Sequence, residues 1–187
     1  MSQKIEELIH SIKVLQEELE QEFDTVRDRF SDEFIRQQRR FKVGIVSYLL
    51  DTHPFVFLTA PIIYACVIPF VLLDLFLTMY QVICFPIYGI PKVKRREYFV
   101  YDRADLPYLN LIEKINCLYC SYGNGLMAYG HEIAARTEQY WCPIKHARRV
   151  KASHGRYGLF FPYGDAESYQ KGLERLRRQY GGDTHRP

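Results

Sequence analysis

The chain has 187 residues, of which 48% are hydrophobic and 25% charged, and its formal net charge is +3. Its length allows one or two small domains, and the average composition is that of a soluble protein. The average hides a run that no domain of this size would bury: from Pro54 to Ile90, 37 residues carry one formal charge, Asp74. A purely soluble chain is therefore excluded in favour of an all-α membrane protein, a very apolar centre with a polar arm on either side.

Residues 1–42 read as a long amphipathic helix. Ile5, Leu8, Ile12, Leu15, Leu19, Phe23, Val26, Phe30 and Phe34 recur at steps of three and four and form one continuous stripe. Acidic residues from Glu17 to Asp28 occupy the other faces, and no Gly or Pro interrupts before Gly44. A long helix with one narrow apolar seam buries that seam against another helix. A coiled coil and a homo-oligomer are expected, with packing on the C-terminal arm or on another protein as alternatives. The segment Met1–Lys13 is acidic and lacks the basic start and apolar core of a signal peptide, so insertion would rely on the internal apolar run.

Basic clusters bracket that run, with Arg36, Arg39, Arg40 and Lys42 before it and Lys92, Lys94, Arg95 and Arg96 after it. One upright helix of this length would reach about 55 Å, against a hydrocarbon core of about 30 Å. Residues 43–91 are therefore expected to form a helical hairpin, transmembrane or re-entrant, that turns near Pro69–Asp74. One long kinked helix is the competing reading. A hairpin returns both basic flanks to one side, which places both arms in the cytoplasm. Asp74 is expected as a turn residue at the hairpin tip, a proton or ion relay being the alternative. Cys66 and Cys84 read as small hydrophobes.

Residues 92–180 read as a small helical domain, followed by a disordered tail at 181–187. Residues 1–40 carry seven Lys/Arg against ten Asp/Glu, whereas residues 92–187 carry seventeen against ten. The C-terminal arm should therefore face something acidic, lipid headgroups or an acidic partner. Tyr98–Tyr101 is strand-like. Asp105-Leu106-Pro107 should open a helix with Leu111, Ile115, Leu118 and Tyr122 as its apolar stripe. Gly123-Asn124-Gly125 should break it, and a second helix should run from about Leu126 to Trp141. Asp165–Tyr180 should form a third, with Tyr169, Leu173, Leu176 and Tyr180 on one face.

Three cysteines and a histidine in this arm, Cys117, Cys120, Cys142 and His146, match the donor types of a tetrahedral Cys3His zinc site, and a structural zinc would help a small domain fold. Leu118 and Tyr119 between the paired cysteines are unusual for a zinc turn, and buried free thiols remain an equal alternative. Glu113, His131, Glu132 and Glu138 form a second set. His131 and Glu138, seven apart, would share a helix face, but the Glu-x2-His repeats of di-iron bundles are missing, and salt bridges explain these residues more simply. Lys145, Arg148, Arg149, Lys151 and Arg156 form the densest basic run, read as a contact with anionic headgroups or as solvated surface. Nucleic-acid binding is not expected of a tethered domain. The chain has no phosphate-binding glycine loop and no Ser/His/Asp set. The expected function is a non-enzymatic, membrane-anchored assembly or scaffold protein that docks through its C-terminal domain. The alternatives are a membrane-bound metalloenzyme or redox protein, and an accessory subunit of a membrane complex.

Overall fold

A computed structural model describes residues 32–180 and, ahead of them, Ser11, residues 14–19, Gln21, Glu22 and Thr25. Among the described residues the fold is helical, without a named strand: α1 (Asp32–Arg39), α2 (Ile45–Asp51), α3 (Pro54–Ala65), α4 (Val67–Tyr88), α5 (Leu111–Trp141) and α6 (Ala166–Arg178). Of the expected oligomerisation seam, Leu15, Leu19 and Phe34 are described, and all three are exposed. Ile5, Leu8, Ile12, Phe23, Val26 and Phe30 lie outside the described residues.

Helices α3 and α4 form one apolar rod, Pro54–Tyr88, which is long and apolar enough to cross a membrane. The expected reversal near Pro69–Asp74 is absent, because both residues lie inside α4. The one interruption is at Cys66, three residues before Pro69. A proline lacks the N–H that would bond the carbonyl four residues earlier, and its ring crowds that carbonyl. Here the loss is local: Cys66 keeps helical angles (φ −63, ψ −13), and the ladder resumes with Phe70 N–H donating to the Cys66 carbonyl at 3.2 Å. The competing reading, one long helix, describes the chain, and the reason for placing both arms on one side falls away with the turn. Gly89 ends the rod in the left-handed region at φ +68, where glycine alone is unstrained.

Helix α5 is a second departure. It runs 31 residues through Gly123-Asn124-Gly125 instead of breaking there. Its start also moves from Asp105 to Asn110, whose side chain accepts from Glu113 N–H at 3.0 Å while Glu113 accepts from Asn110 N–H at 2.8 Å. This reciprocal cap satisfies two orphan donors and accounts for Glu113. The glycines are there for close approach. A Cβ on Gly123 would stand 3.0 Å from the Phe70 ring, and one on Gly130 would stand 2.9 Å from Leu77 Cδ1. Phe70 and Leu77 on α4 thus meet Gly123 and Gly130 on α5 at matching seven-residue intervals, as in parallel coiled-coil packing.

The parallel direction is confirmed along the pair. Tyr119 OH donates to the Ile63 carbonyl, Tyr80 OH meets Thr137 Oγ1 at 3.0 Å, and Tyr88 stacks on Tyr140. Parallel neighbours require the link to run back the full length, and residues 89–110 do so. Val93 N–H reaches Gln81, Arg95 reaches Asp74, and Phe99 packs on Tyr122. The expected strand at Tyr98–Tyr101 is not formed. Its flanks are 3-10 turns at Arg95–Glu97 and Asp102–Asp105, and Tyr98 and Phe99 turn onto Tyr129 as core rings. Phe85, Ile90, Val93, Leu126, Tyr129 and Ile133 make the core, so the membrane-type helix and the C-terminal arm share one interior. Of the expected apolar stripe, Leu111, Ile115 and Leu118 are exposed, whereas Tyr122 packs against the core. Helix α6 forms close to where expected, capped by Asp165, which accepts from Ser168 N–H at 3.0 Å.

Gly125→Ala should destabilise by about 1–2 kcal/mol, although alanine is the better helix former by about 1 kcal/mol. Its Cβ would lie 2.7 Å from the Tyr98 carbonyl oxygen, a backbone atom that cannot rotate away. Gly130→Ala meets only the end of Leu77 and should be close to neutral. Chemical denaturation of the two variants checks the order.

Candidate functional site

The expected zinc ligands are not brought together. Cys117 and Cys120 sit in the N-terminal half of α5, and Cys142 is its C-cap. A continuous helix puts about 33 Å of axis between Cys120 and Cys142, whereas zinc holds its sulfur ligands within about 2.3 Å. His146 stacks on Tyr157 beyond that end, with ring centroids 6.3 Å apart. Among the described residues no three His, Cys, Asp or Glu side chains are placed to hold one metal ion. The cysteines are free thiols.

The basic run divides in two. Lys145 N–H donates to the Phe161 carbonyl and Phe161 N–H to the Pro143 carbonyl, each at 2.8 Å, which closes residues 143–161 into a compact loop. Arg148, Arg149 and Lys151 are exposed on it, and Lys145 is half-buried. Arg156 is not a surface residue at all. It is 5% exposed, and it donates to Glu132 Oε1 from Nε at 3.1 Å and Nη2 at 3.0 Å, and to Gln139 Oε1 from Nη1 at 3.1 Å. Arg136 Nε donates to the same Glu132 oxygen at 2.7 Å. Gln139 passes the network on, donating to the carbonyls of Leu176 and Gln179. The buried Glu132 carboxylate thus ties the loop to α5, and Gln139 ties the network to the end of α6. Burial pushes the Glu132 carboxyl up, but the Arg136 hydrogen bond and the Arg156 charge outweigh it and hold its pKa below the ordinary 4.5.

Beside this network lies a cavity of about 160 Å3, lined by His131, Glu138, His146, Ser153, His154 and Tyr157 among others. His131 and Glu138 do share a face of α5, as their spacing implies, and the closed loop lays His154 between them. His154 Nε2 donates to Glu138 Oε2 at 3.0 Å, and its ring meets that of His131 edge-on at 5.9 Å. The His154 side chain is 9% exposed, and its Nδ1 is buried without a hydrogen-bond partner. The Glu138 carboxylate thus fixes the His154 ring beside a second imidazole. The cavity has room for a few waters or one small polar ligand.

Asp74 is not a turn residue. Both its oxygens accept from the Arg95 guanidinium, and Tyr122 OH donates to it at 2.9 Å. A bidentate pair fixes the carboxylate in the helix and neutralises it there. Sequence reasoning missed this pairing, together with Gln81, which is 5% exposed inside the apolar run and donates to Tyr129 OH at 2.8 Å. Comparison with known protein families, with curated proteins and with solved structures found no match to this chain.

Proposed function

We propose that the protein is a non-enzymatic, membrane-anchored assembly protein, in which one helix is both the lipid anchor and a wall of the helical domain's core. The observation that carries this reading is the Pro54–Tyr88 rod. Its first part is apolar on every face, with Phe55, Leu58 and Ile62 all at least two-thirds exposed. A soluble protein does not leave such a surface in water, since large exposed apolar patches mark interaction sites. The N-terminal stripe supplies the assembly element, and Arg148, Arg149 and Lys151 supply a basic edge that favours anionic headgroups by about 1 kcal/mol each.

The test of the assembly half is mass. The full chain in detergent should exceed its monomer mass of 22.2 kDa, and deletion of residues 1–38 should return it to monomer size. Equal masses for the two would remove the coiled-coil argument. A second reading, a membrane-bound enzyme, is favoured by the His131, Glu138 and His154 cavity. The cysteines give it no support.

A further inference from the structure

We infer that the bilayer covers the outer face of α4 along its whole length, so that the helical domain lies against the membrane instead of standing off it. The inference rests on the anchor reading above. It concerns the second half of the rod, where α5 already covers one side.

The two sides of α4 are sorted completely. Phe70, Leu77, Gln81 and Phe85 face the α5 side and are buried or half-buried, and the polar side chains with partners across the fold go the same way. Asp74 turns to Arg95 and Tyr122, and Gln81 turns to Tyr129 and the Val93 amide. On the opposite side Ile68, Leu72, Leu75, Met79, Ile83 and Ile87 are each between 47% and 73% exposed. A helix on the edge of a soluble domain carries charged residues there, and this one carries none. The face is about 28 Å long at helical rise.

Three features commit it to lipid. It continues without a break from the fully apolar surface of α3. It is broad, because Val71, Phe76 and Val82 beside the central line are also at least half exposed, whereas a second helix of another copy would need only a narrow seam. It ends on aromatic rings: Tyr88, the last residue of α4, packs edge-on against Trp141 at 5.4 Å, Trp141 against Tyr140 at 5.1 Å, and Trp141 is 51% exposed. Amphipathic rings of this kind gather at the headgroup level. A helix whose outer side stays in lipid from Phe55 to Ile87 enters the bilayer at a shallow angle, with the domain on its water side.

The chain has one tryptophan, and this makes the inference measurable. The full chain is reconstituted in vesicles of phosphatidylcholine and phosphatidylglycerol, with plain or brominated acyl chains, and recovered by flotation. Two proteins are compared: the natural chain, and one carrying Trp141→Phe with Met79→Trp, which moves the fluorophore onto the face. Brominated lipid should lower the emission at position 79 by about twofold or more and that at Trp141 by less, as expected for a face in the acyl region and a ring at the headgroups. A protein that floats but whose position-79 emission is untouched by brominated lipid overturns the inference and leaves the anchor intact. This holds if iodide quenches it, which means the face is in water, or if neither agent does, which means a second copy covers it. A protein that fails to float overturns both.

Discussion

Glu132→Ala should cost about 3–5 kcal/mol of stability, because removing one partner of a buried ion network leaves the others charged and unpaired. Arg136 and Arg156 both donate to Glu132, whose side chain is 6% exposed, as is that of Arg156. The alanine variant would bury two guanidinium groups without their carboxylate, and the 143–161 loop would be held to α5 only by the weaker Arg156–Gln139 and His154–Glu138 bonds. Glu132→Gln keeps the shape and loses the charge, so it should fall between the two. The pH dependence has a definite sign. The folded pKa is depressed below 4.5, so the stabilisation is complete above that value and is lost as pH falls through the folded pKa. Denaturation of the natural chain between pH 7 and 3 should show this acid loss, and Glu132→Gln should show less of it. Equal stability of the alanine variant and the natural chain at pH 7 would contradict the network.

Replacing Leu58 and Ile62 together by arginine should release the protein from membranes. The two side chains are 72% and 70% exposed, on the part of the rod that precedes the α5 contacts beginning at Ile63. An arginine at the bilayer centre costs about 2.5–3.5 kcal/mol on insertion scales. Nearer the headgroups each costs less, so the pair costs at most about 5–7 kcal/mol, or up to about four to five powers of ten in partition. Because neither side chain is part of the domain core, circular dichroism and melting of the domain should stay as in the natural chain. A double variant that remains in the membrane would mean that the anchor lies elsewhere.

Much of the helical layout was legible. The apolar run, its single charge and the helix starting near Asp165 follow from hydrophobicity and capping, which are local. What failed was tertiary. Glycine breaks a helix in isolation, but Gly123 and Gly125 are there because Phe70 and the Tyr98 carbonyl come too close for a Cβ. Proline and a carboxylate in an apolar run signal a turn, but Pro69 costs one hydrogen bond and Asp74 has Arg95 beside it. A basic run does not reveal which arginine faces inward, and Arg156 belongs with Glu132, 24 positions earlier. The cysteine spacing has the right residue types for zinc, yet a straight helix through the middle keeps the halves apart. Of the polar cavity, the His131–Glu138 spacing was readable. His154 reaches it only because the Ile144–Phe161 bridge closes the loop, a contact with no local signature.

The central claim is that Pro54–Tyr88 is embedded in a bilayer, and alkaline carbonate extraction of cell membranes carrying the full chain tests it most directly. An embedded rod keeps the protein in the pellet at high pH, where proteins held to a membrane only by surface charge are stripped away. Recovery of the full chain in the carbonate supernatant would contradict it.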